Sequence, residues 1–530
     1  MAILLPLILL AYAVLYAFAF SIPPIQLHAL SGFISGTGVS RGYAQIQKPL
    51  LERDVLDDWV KREERVALDR LLKNFAPGGE DLEGVALGSV IASPSRDKPD
   101  YYYQWVRDAA ITTSTLVDIY ADNPTSRVAS DLSTRLNAYA NLQYTLQHTD
   151  NPSGTFGDLS GLGEPKFEID GSAFTGSWGR PQRDGPALRA ITLMAYVRAY
   201  NTSHPSLWTN QVGSDWFKPL YDSNMPADSI IKADLEYVSH FWNESGFDLW
   251  EEVEGLHFFT AMVQMRALRE GADLARRFGD NGAAEWYGRQ AEKMEAFIPT
   301  FWDEAKGHMV ETLNSKRTGL DCGLMLGSLH GFPAAYSEHT PVYPPYSDEI
   351  LASLMELVQD QRYRFPINSA PISDDEEIVL EGVGLGRYPE DIYDGYGNTK
   401  NSIGNPWFLC TSSAAEVLYR TSTHLISIST LTITPLSLPF YTALLSSSSL
   451  DVYPGTYTPN DAIFYSVVEN LVGLGDSFLE VVKKHSGAEG EMSEQFDRRT
   501  GYMRGARDLT WSYGAFLNAA RARKEALMNL

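Results

Sequence analysis

Apolar side chains recur at helical spacing through most of this chain. Residues 51 to 74 place Val55, Leu56, Trp59, Val60, Val66, Leu68, Leu71 and Leu72 on one face, with charged residues between them. The same period predicts helices over 106–121, 128–147, 186–200, 228–242, 257–278, 282–301, 347–360, 406–420, 461–485 and 507–526, mostly separated by Gly, Pro, Asn and Asp clusters. Alternating β-branched runs are few. About eleven helices with long loops and no regular strand–helix alternation predict an all-α arrangement. A doubly wound sheet and a β/α barrel are both disfavoured.

The loops between these helices are too rich in Trp, Tyr, Arg and Asp to be plain connectors, above all at 101–108, 175–185, 247–255, 387–407 and 493–513. They are the expected walls of a site. No low-complexity linker or repeat divides the 530 residues, so one large domain, 51–530, is expected after an extension at 21–50. Residues 1–20 carry no charged side chain and run through Leu4, Leu5, Leu7, Ile8, Leu9, Leu10, Val14, Leu15 and Phe18 to Pro23-Pro24. That reads as a secretory signal peptide cleaved near Ala17-Phe18-Ala19, although no Lys or Arg marks its start and the run is long enough for an uncleaved anchor. After it, Leu431 to Leu450 is the nearest to a membrane span, and Thr, Ser and two Pro interrupt it.

A net charge of −24 argues against nucleic acid or an anionic membrane as partner, since both need clustered Lys and Arg; a neutral sugar is compatible. The two cysteines, Cys322 and Cys410, cannot form a disulfide framework, though one bridge between them is possible. Asn201-Thr202-Ser203 and Asn243-Glu244-Ser245 are N-glycosylation acceptor sequences, the first preferred because the second lies close to the acidic segment 247–255.

Phe247-Asp248-Leu249-Trp250-Glu251-Glu252-Val253-Glu254-Gly255 sets adjacent carboxylates beside an indole, where desolvation can raise a carboxyl pKa and make a general acid. Read alone, it is equally a solvated acidic helix start. Tyr101-Tyr102-Tyr103-Gln104-Trp105-Val106-Arg107-Asp108 offers aromatic faces for the C–H face of a pyranose, with a donor and an acceptor for its hydroxyls. Gly176-Ser177-Trp178-Gly179-Arg180-Pro181-Gln182-Arg183-Asp184, Gly386-Arg387-Tyr388-Pro389-Glu390-Asp391 followed by Trp407, and Ser493-Glu494-Gln495 are charged or polar loops of the same style. Gly38-Val39-Ser40-Arg41-Gly42 matches a nucleophile elbow, but no strand precedes it and no helix obviously follows. The ten His residues include no pair at metal spacing, and no Cys-x-x-Cys is present, so a transition-metal site is not expected.

Taken together and in order, these segments, with Gly163-Glu164-Pro165-Lys166-Phe167 and Gly404-Asn405-Pro406-Trp407-Phe408-Leu409, resemble the fungal glucoamylases, glycoside hydrolase family 15, from about residue 52 to 526. The resemblance implies an (α/α)6 barrel with the site in loops at one end, no metal or organic cofactor, and a monomer. It implies an inverting exo-hydrolase that releases β-D-glucose from the non-reducing ends of starch, glycogen and maltooligosaccharides, chiefly at α-1,4 and more slowly at α-1,6 bonds. Glu251 matches the family's general acid and Glu494 its general base, which in an inverting enzyme stand about 6.5–9.5 Å apart to admit a water. Arg107 and Asp108 match holders of the terminal sugar's hydroxyls. Arg387 and Glu252 match residues on the next sugar or on the acid. Trp105, Trp178, Trp250, Leu249 and Trp407 match pocket walls, and Tyr101 the tyrosine beside the base. Many relatives carry a C-terminal starch-binding domain, and with the chain ending at Leu530 raw-starch binding is not expected. Residues 394–403 lengthen one loop over the shortest family versions. A non-catalytic glucan-binding protein and a trehalase remain the alternatives.

Overall fold

In a computed structural model, the structure describes residues 40–76, 84–206, 211–333, 337–368 and 380–530, with side chains from Val55 onward except at 211 and 212. The expected signal peptide, the extension up to residue 39, and Gly38-Val39 of the elbow-like motif lie outside these. A helix does begin at Ser40, contrary to expectation. The chain forms two compact units, Met1–Val55 and Leu56–Leu530, where the sequence pattern divides it at residues 50 and 51. The helical barrel and its site belong to the second unit.

Twelve principal helices alternate between two rings. The inner ring is α2 (Val106–Asp122), α4 (Gly185–Ser203), α7 (Phe258–Arg277), α9 (Cys322–Gly331), α11 (Phe408–Ile428) and α14 (Thr510–Asn529). Each packs on the next, and α14 returns to α2, so the ring closes. Outside lie α1 (Ser40–Lys73) from Leu56 onward, α3 (Arg127–Gln147), α6 (Ile230–Phe241), α8 (Asn281–Phe297), α10 (Asp348–Arg364) and α13 (Ala462–His485). Trp59 of α1, for example, packs edge-on against Phe516 of α14. This is an (α/α)6 barrel. Two short helices, α5 (Gln211–Phe217) and α12 (Leu438–Leu444), lie in connections.

The eleven expected helices are present, and the principal one missed is α9. Its sequence, Cys-Gly-Leu-Met-Leu-Gly-Ser-Leu-His-Gly, has no polar face because every residue but His330 is buried, so no helical period can show. Side-chain caps close several of these helix starts, including that of α9, where Asp321 accepts from Gly323 N. Ser126 accepts from Ala129 N, Asp280 from Ala283 N, and Ser347 from Ile350 N. Residues 431–450 are not a continuous helix but strand β7 (Leu431–Ile433) followed by α12. Among the described residues one helix, α13, is long and apolar enough to cross a membrane, and half of its apolar window is buried in the barrel.

Cys322 and Cys410 are bonded, tying the first turns of α9 and α11 across a sequence separation of 88. On chain-entropy grounds a loop of that length is worth about 4–5 kcal/mol. Replacing both cysteines with alanine is expected to cost that much in urea unfolding, with the fold retained.

The two glycan acceptor sequences differ in exposure. Asn243 is exposed in the turn after α6, whereas Asn201 is half-buried in the last turn of α4 with its Oδ1 out of contact with solvent. Accessibility favours Asn243.

Candidate active site

Every inner helix points its N-terminus at the same end of the barrel, and the residues just before these starts are Trp105, Asp184, His257, Asp321, Trp407 and Leu509. Short two-stranded antiparallel pairs stiffen the loops there. Gln104–Trp105 (β1) pairs with Lys166–Phe167 (β2), Gly246–Phe247 (β3) with Glu254–Gly255 (β4), and Gln495–Phe496 (β9) with Met503–Arg504 (β10). The remaining pairs, Trp302–Asp303 (β5) with His308–Met309 (β6) and β7 with Gly455–Tyr457 (β8), carry none of the expected site residues.

Between the loops opens a cavity of about 290 Å³. All twelve residues expected at the site line it: Tyr101, Trp105, Arg107, Asp108, Trp178, Leu249, Trp250, Glu251, Glu252, Arg387, Trp407 and Glu494. Ala92, Gly179, Tyr393, Leu509 and Trp511 line it too and were not expected as site residues, although all but Ala92 fall in segments already marked as walls. The two principal carboxylates, Glu251 and Glu494, thus share one hollow.

Glu251 sits in the turn joining β3 to β4. Asp248 builds that turn: its Oδ1 accepts from the backbone N–H of Glu252 at 2.6 Å and Val253 at 2.9 Å, and its carbonyl accepts from Glu251 N at 2.9 Å. The turn forces Glu251 to a φ of +68°, a left-handed conformation that costs a side-chain-bearing residue about 1–2 kcal/mol. Gly179 passes so close beneath that a Cβ on it would stand 2.8 Å from the Glu251 carbonyl oxygen. Glu251 Oε1 accepts from Trp105 Nε1 at 2.7 Å, Gln182 Nε2 at 3.1 Å and Arg107 Nη2 at 3.4 Å. All three donors fall on one oxygen, which leaves Oε2 for a ligand. The indole at this carboxylate is therefore that of Trp105, not of its neighbour Trp250, whose Nε1 turns away to Asp321 at 2.9 Å. It acts as a donor, not as an apolar lid. The pairing of carboxylate and indole within the 247–255 segment is corrected accordingly: the indole comes from the 101–108 loop.

Arg107 is buried and fixed from behind by Gln182 Oε1 at 2.8 Å and Asp184 Oδ2 at 2.9 Å. Its partner Asp108 is pushed up to about 7 by burial, against the lowering effect of Arg107. Glu252 faces a different set: Arg387 Nη2 at 3.0 Å, Arg317 Nη2 at 2.7 Å, and the Tyr388 hydroxyl. Burial works to raise Glu252, but these three hold it below the usual carboxylate value. Arg387 is itself clamped by Asp391 at 2.6 and 2.9 Å and lies 5.3 Å from the ring centres of both Trp250 and Trp407.

Glu494 precedes β9 and is wholly buried. Its Oε2 accepts from the Tyr393 hydroxyl at 3.3 Å, and Tyr393 in turn contacts the Tyr101 hydroxyl at 3.1 Å. Its Oε1 accepts no hydrogen bond from the described residues. Burial pushes Glu494 up to about 8, against the pull of Tyr101, Arg387 and Tyr393. Gly505, at a φ of +73°, presses against the same carboxylate, and a Cβ there would reach to 2.2 Å from Oε2. The extended loop 394–403 buttresses this side: Arg504 reaches the Asp394 carbonyl and stacks over Tyr396 at 4.5 Å.

A closed double ring of helices, bearing at one end a hollow walled by aromatic faces with carboxylates on separate loops, defines the class: an (α/α)6-barrel protein with a site for a neutral, hydroxyl-rich ligand. Residues 65–521 match the family described as Glycosyl hydrolases family 15. A glucoamylase of Saccharomycopsis fibuligera is 38% identical over 496 residues, covering 90% of this chain and 92% of that protein. An intracellular sporulation-specific glucoamylase of Saccharomyces cerevisiae is 33% identical, covering 90% and 86%. Among solved structures, the Saccharomycopsis fibuligera glucoamylase superposes with a TM-score of 0.78 at 36% identity, covering 90% of this chain and 96% of that one. The family 15 glucoamylase of Hypocrea jecorina gives 0.77 at 38%, covering 88% and 72%. The chain belongs to glycoside hydrolase family 15.

Proposed function

We propose that Glu251 is the general acid and Glu494 the general base of an inverting hydrolysis in this pocket. The enzyme is a glucan 1,4-α-glucosidase: it releases β-D-glucose from the non-reducing ends of starch and maltooligosaccharides, and acts more slowly at α-1,6 bonds. The observation that carries the assignment of roles is the asymmetry of the two carboxylates. Glu251 is held through one oxygen by three N–H donors, so its other oxygen can deliver a proton to the glycosidic oxygen. Among the described residues Glu494 Oε1 accepts no hydrogen bond, as an acceptor for the attacking water must, while the Tyr393 hydroxyl holds Oε2; the base acts in its ionised form, which Tyr101, Arg387 and Tyr393 favour against the burial that raises it. Arg107 and Asp108 engage the hydroxyls of the terminal sugar, and Trp105, Trp178, Trp250 and Trp407 give its apolar faces something to stack on. The buried, preoriented charges then act on the oxocarbenium-like transition state in a medium poor in water.

Export is part of this reading. The apolar run at 1–20, the exposed Asn243 acceptor and the single disulfide support it. A monomer without a membrane or nucleic-acid partner completes it.

The deciding experiment is proton NMR of the first sugar formed from maltotriose. β-Glucose is expected. α-Glucose would reject direct displacement by water, cleavage of trehalose alone would make the protein a trehalase, and no turnover would leave a glucan-binding protein.

A further inference from the structure

Lys166, on β2 opposite Trp105 in the antiparallel register, is 2% exposed. Its Nζ stands 3.8 Å from the ring centres of Tyr103 and Trp178, 4.1 Å from Phe174 and 4.5 Å from Trp105. Four rings thus enclose one ammonium group, and they also touch one another: Trp105 packs on Trp178 at 5.9 Å, and Phe174 on both Tyr103 and Trp178. No carboxylate pairs with Lys166 among the described residues. A cation placed over aromatic faces is attracted by their quadrupoles, more strongly once both are out of water. Two of the four rings, Trp105 and Trp178, line the pocket, and Trp105 carries the shortest of the hydrogen bonds to Glu251.

We propose that Lys166 is a positioning residue for hydrolysis: its caged ammonium fixes Trp105 and Trp178 at the pocket wall and thereby fixes the indole N–H that Glu251 accepts. The inference rests on Glu251 being the acid. It gives the cage a chemical purpose that packing alone would not need. A leucine or methionine could fill the same space, but only a cation draws the faces of several rings to one point.

The cage is also sensitive to pH. Burial lowers Lys166 to about 8; Glu251 from the acid turn, Asp100 from the segment before β1 and Glu168 beyond β2 pull it up, and Arg180 from the 176–186 loop pushes it down. Arg180 is itself paired with buried Glu164 at 2.9 Å, and the Tyr103 hydroxyl donates to Asp100 at 3.1 Å. Loss of the Lys166 proton frees the rings.

The test uses the full chain with Lys166→Met, which keeps length and removes charge, and Lys166→Arg, which keeps a charge that does not titrate. For Lys166→Met, kcat on maltotriose is expected to fall about tenfold or more with KM changed far less, and Lys166→Arg is expected to recover most of that loss. The free wild-type enzyme is expected to show a tryptophan fluorescence change with a midpoint near pH 8, reduced in Lys166→Arg. The residual change in that variant would report Asp321, which burial raises to about 8 and which bonds Trp250. An unchanged kcat in Lys166→Met overturns the proposal. Equal losses in both variants that track a lowered melting temperature overturn it too, because they would mark a packing role. If Lys166→Met does not fold, a fluorescence titration identical in the wild type and Lys166→Arg overturns it. Turnover by Glu251→Gln would instead remove the acid assignment, and the fluorescence arm would still read the cage.

Discussion

Glu251→Gln is expected to lower kcat on maltotriose by about 10²–10⁴-fold, the usual worth of general acid–base catalysis, while maltose affinity changes by no more than a few-fold. The amide oxygen can still accept from Trp105 Nε1, Gln182 Nε2 and Arg107 Nη2, so the pocket keeps its shape. What disappears is the transferable proton. Glu494→Gln should lose a similar factor for the opposite reason: an amide nitrogen at Oε1 cannot take a proton from water. Maltose binding can be followed by tryptophan fluorescence, since Trp105, Trp178, Trp250 and Trp407 all face the cavity. Turnover retained in either variant would sink its assigned role. Loss of binding in parallel with kcat would show that the carboxylate shapes the pocket and would leave its chemistry undecided.

Thermal stability should be greater at about pH 5.5 than at about pH 8.5, with the melting temperature falling by at least about 5 °C between them. Burial raises Glu63 to about 7, Asp108 to about 7, Asp321 to about 8 and Glu494 to about 8, and it holds Glu311 well above its ordinary value. In the unfolded chain these groups ionise near 4, so between about pH 4.5 and 8 the folded state holds more protons than the unfolded state. Each increment of pH in that window favours unfolding. Their contribution is complete below the unfolded values and lost as pH rises through 7 to 8. Other groups limit the acid side: His330 is pushed down to about 3 by burial and must stay neutral, and Glu252 is held low by Arg387, Tyr388 and Arg317. Differential scanning calorimetry across the range checks this. A melting temperature that rises steadily to pH 8.5 would show that these carboxyls are ionised in the fold.

The helical architecture was legible because an outer helix must be apolar on one face and polar on the other, and eleven segments carry that period. Helix α9 escaped for the same reason: enclosed on all sides, it has no polar face to set a rhythm. The wall residues were legible because Trp, Arg and Asp concentrated in Gly- and Pro-interrupted loops have no purpose in a plain connector. The residues that hold those walls in place were not. Arg317, which bonds Glu252, comes from an ordinary-looking polar turn, and Gln182 and Asp184 gave no sign that they brace Arg107.

Local sequence therefore determined the number and kind of most helices and which loops carry chemistry, while the individual pocket side chains were named by the resemblance to glycoside hydrolase family 15. Those properties follow from periodicity and residue type within short windows. Tertiary structure alone decided that Trp105, 146 residues distant, and not adjacent Trp250 gives its N–H to Glu251. It also decided that burial raises Glu494 and Asp108, that four rings close around Lys166, and that Asn243 is the more accessible glycan acceptor. Partner choice, desolvation and exposure depend on which distant segments the closing ring brings together, and spacing along the chain carries no record of them.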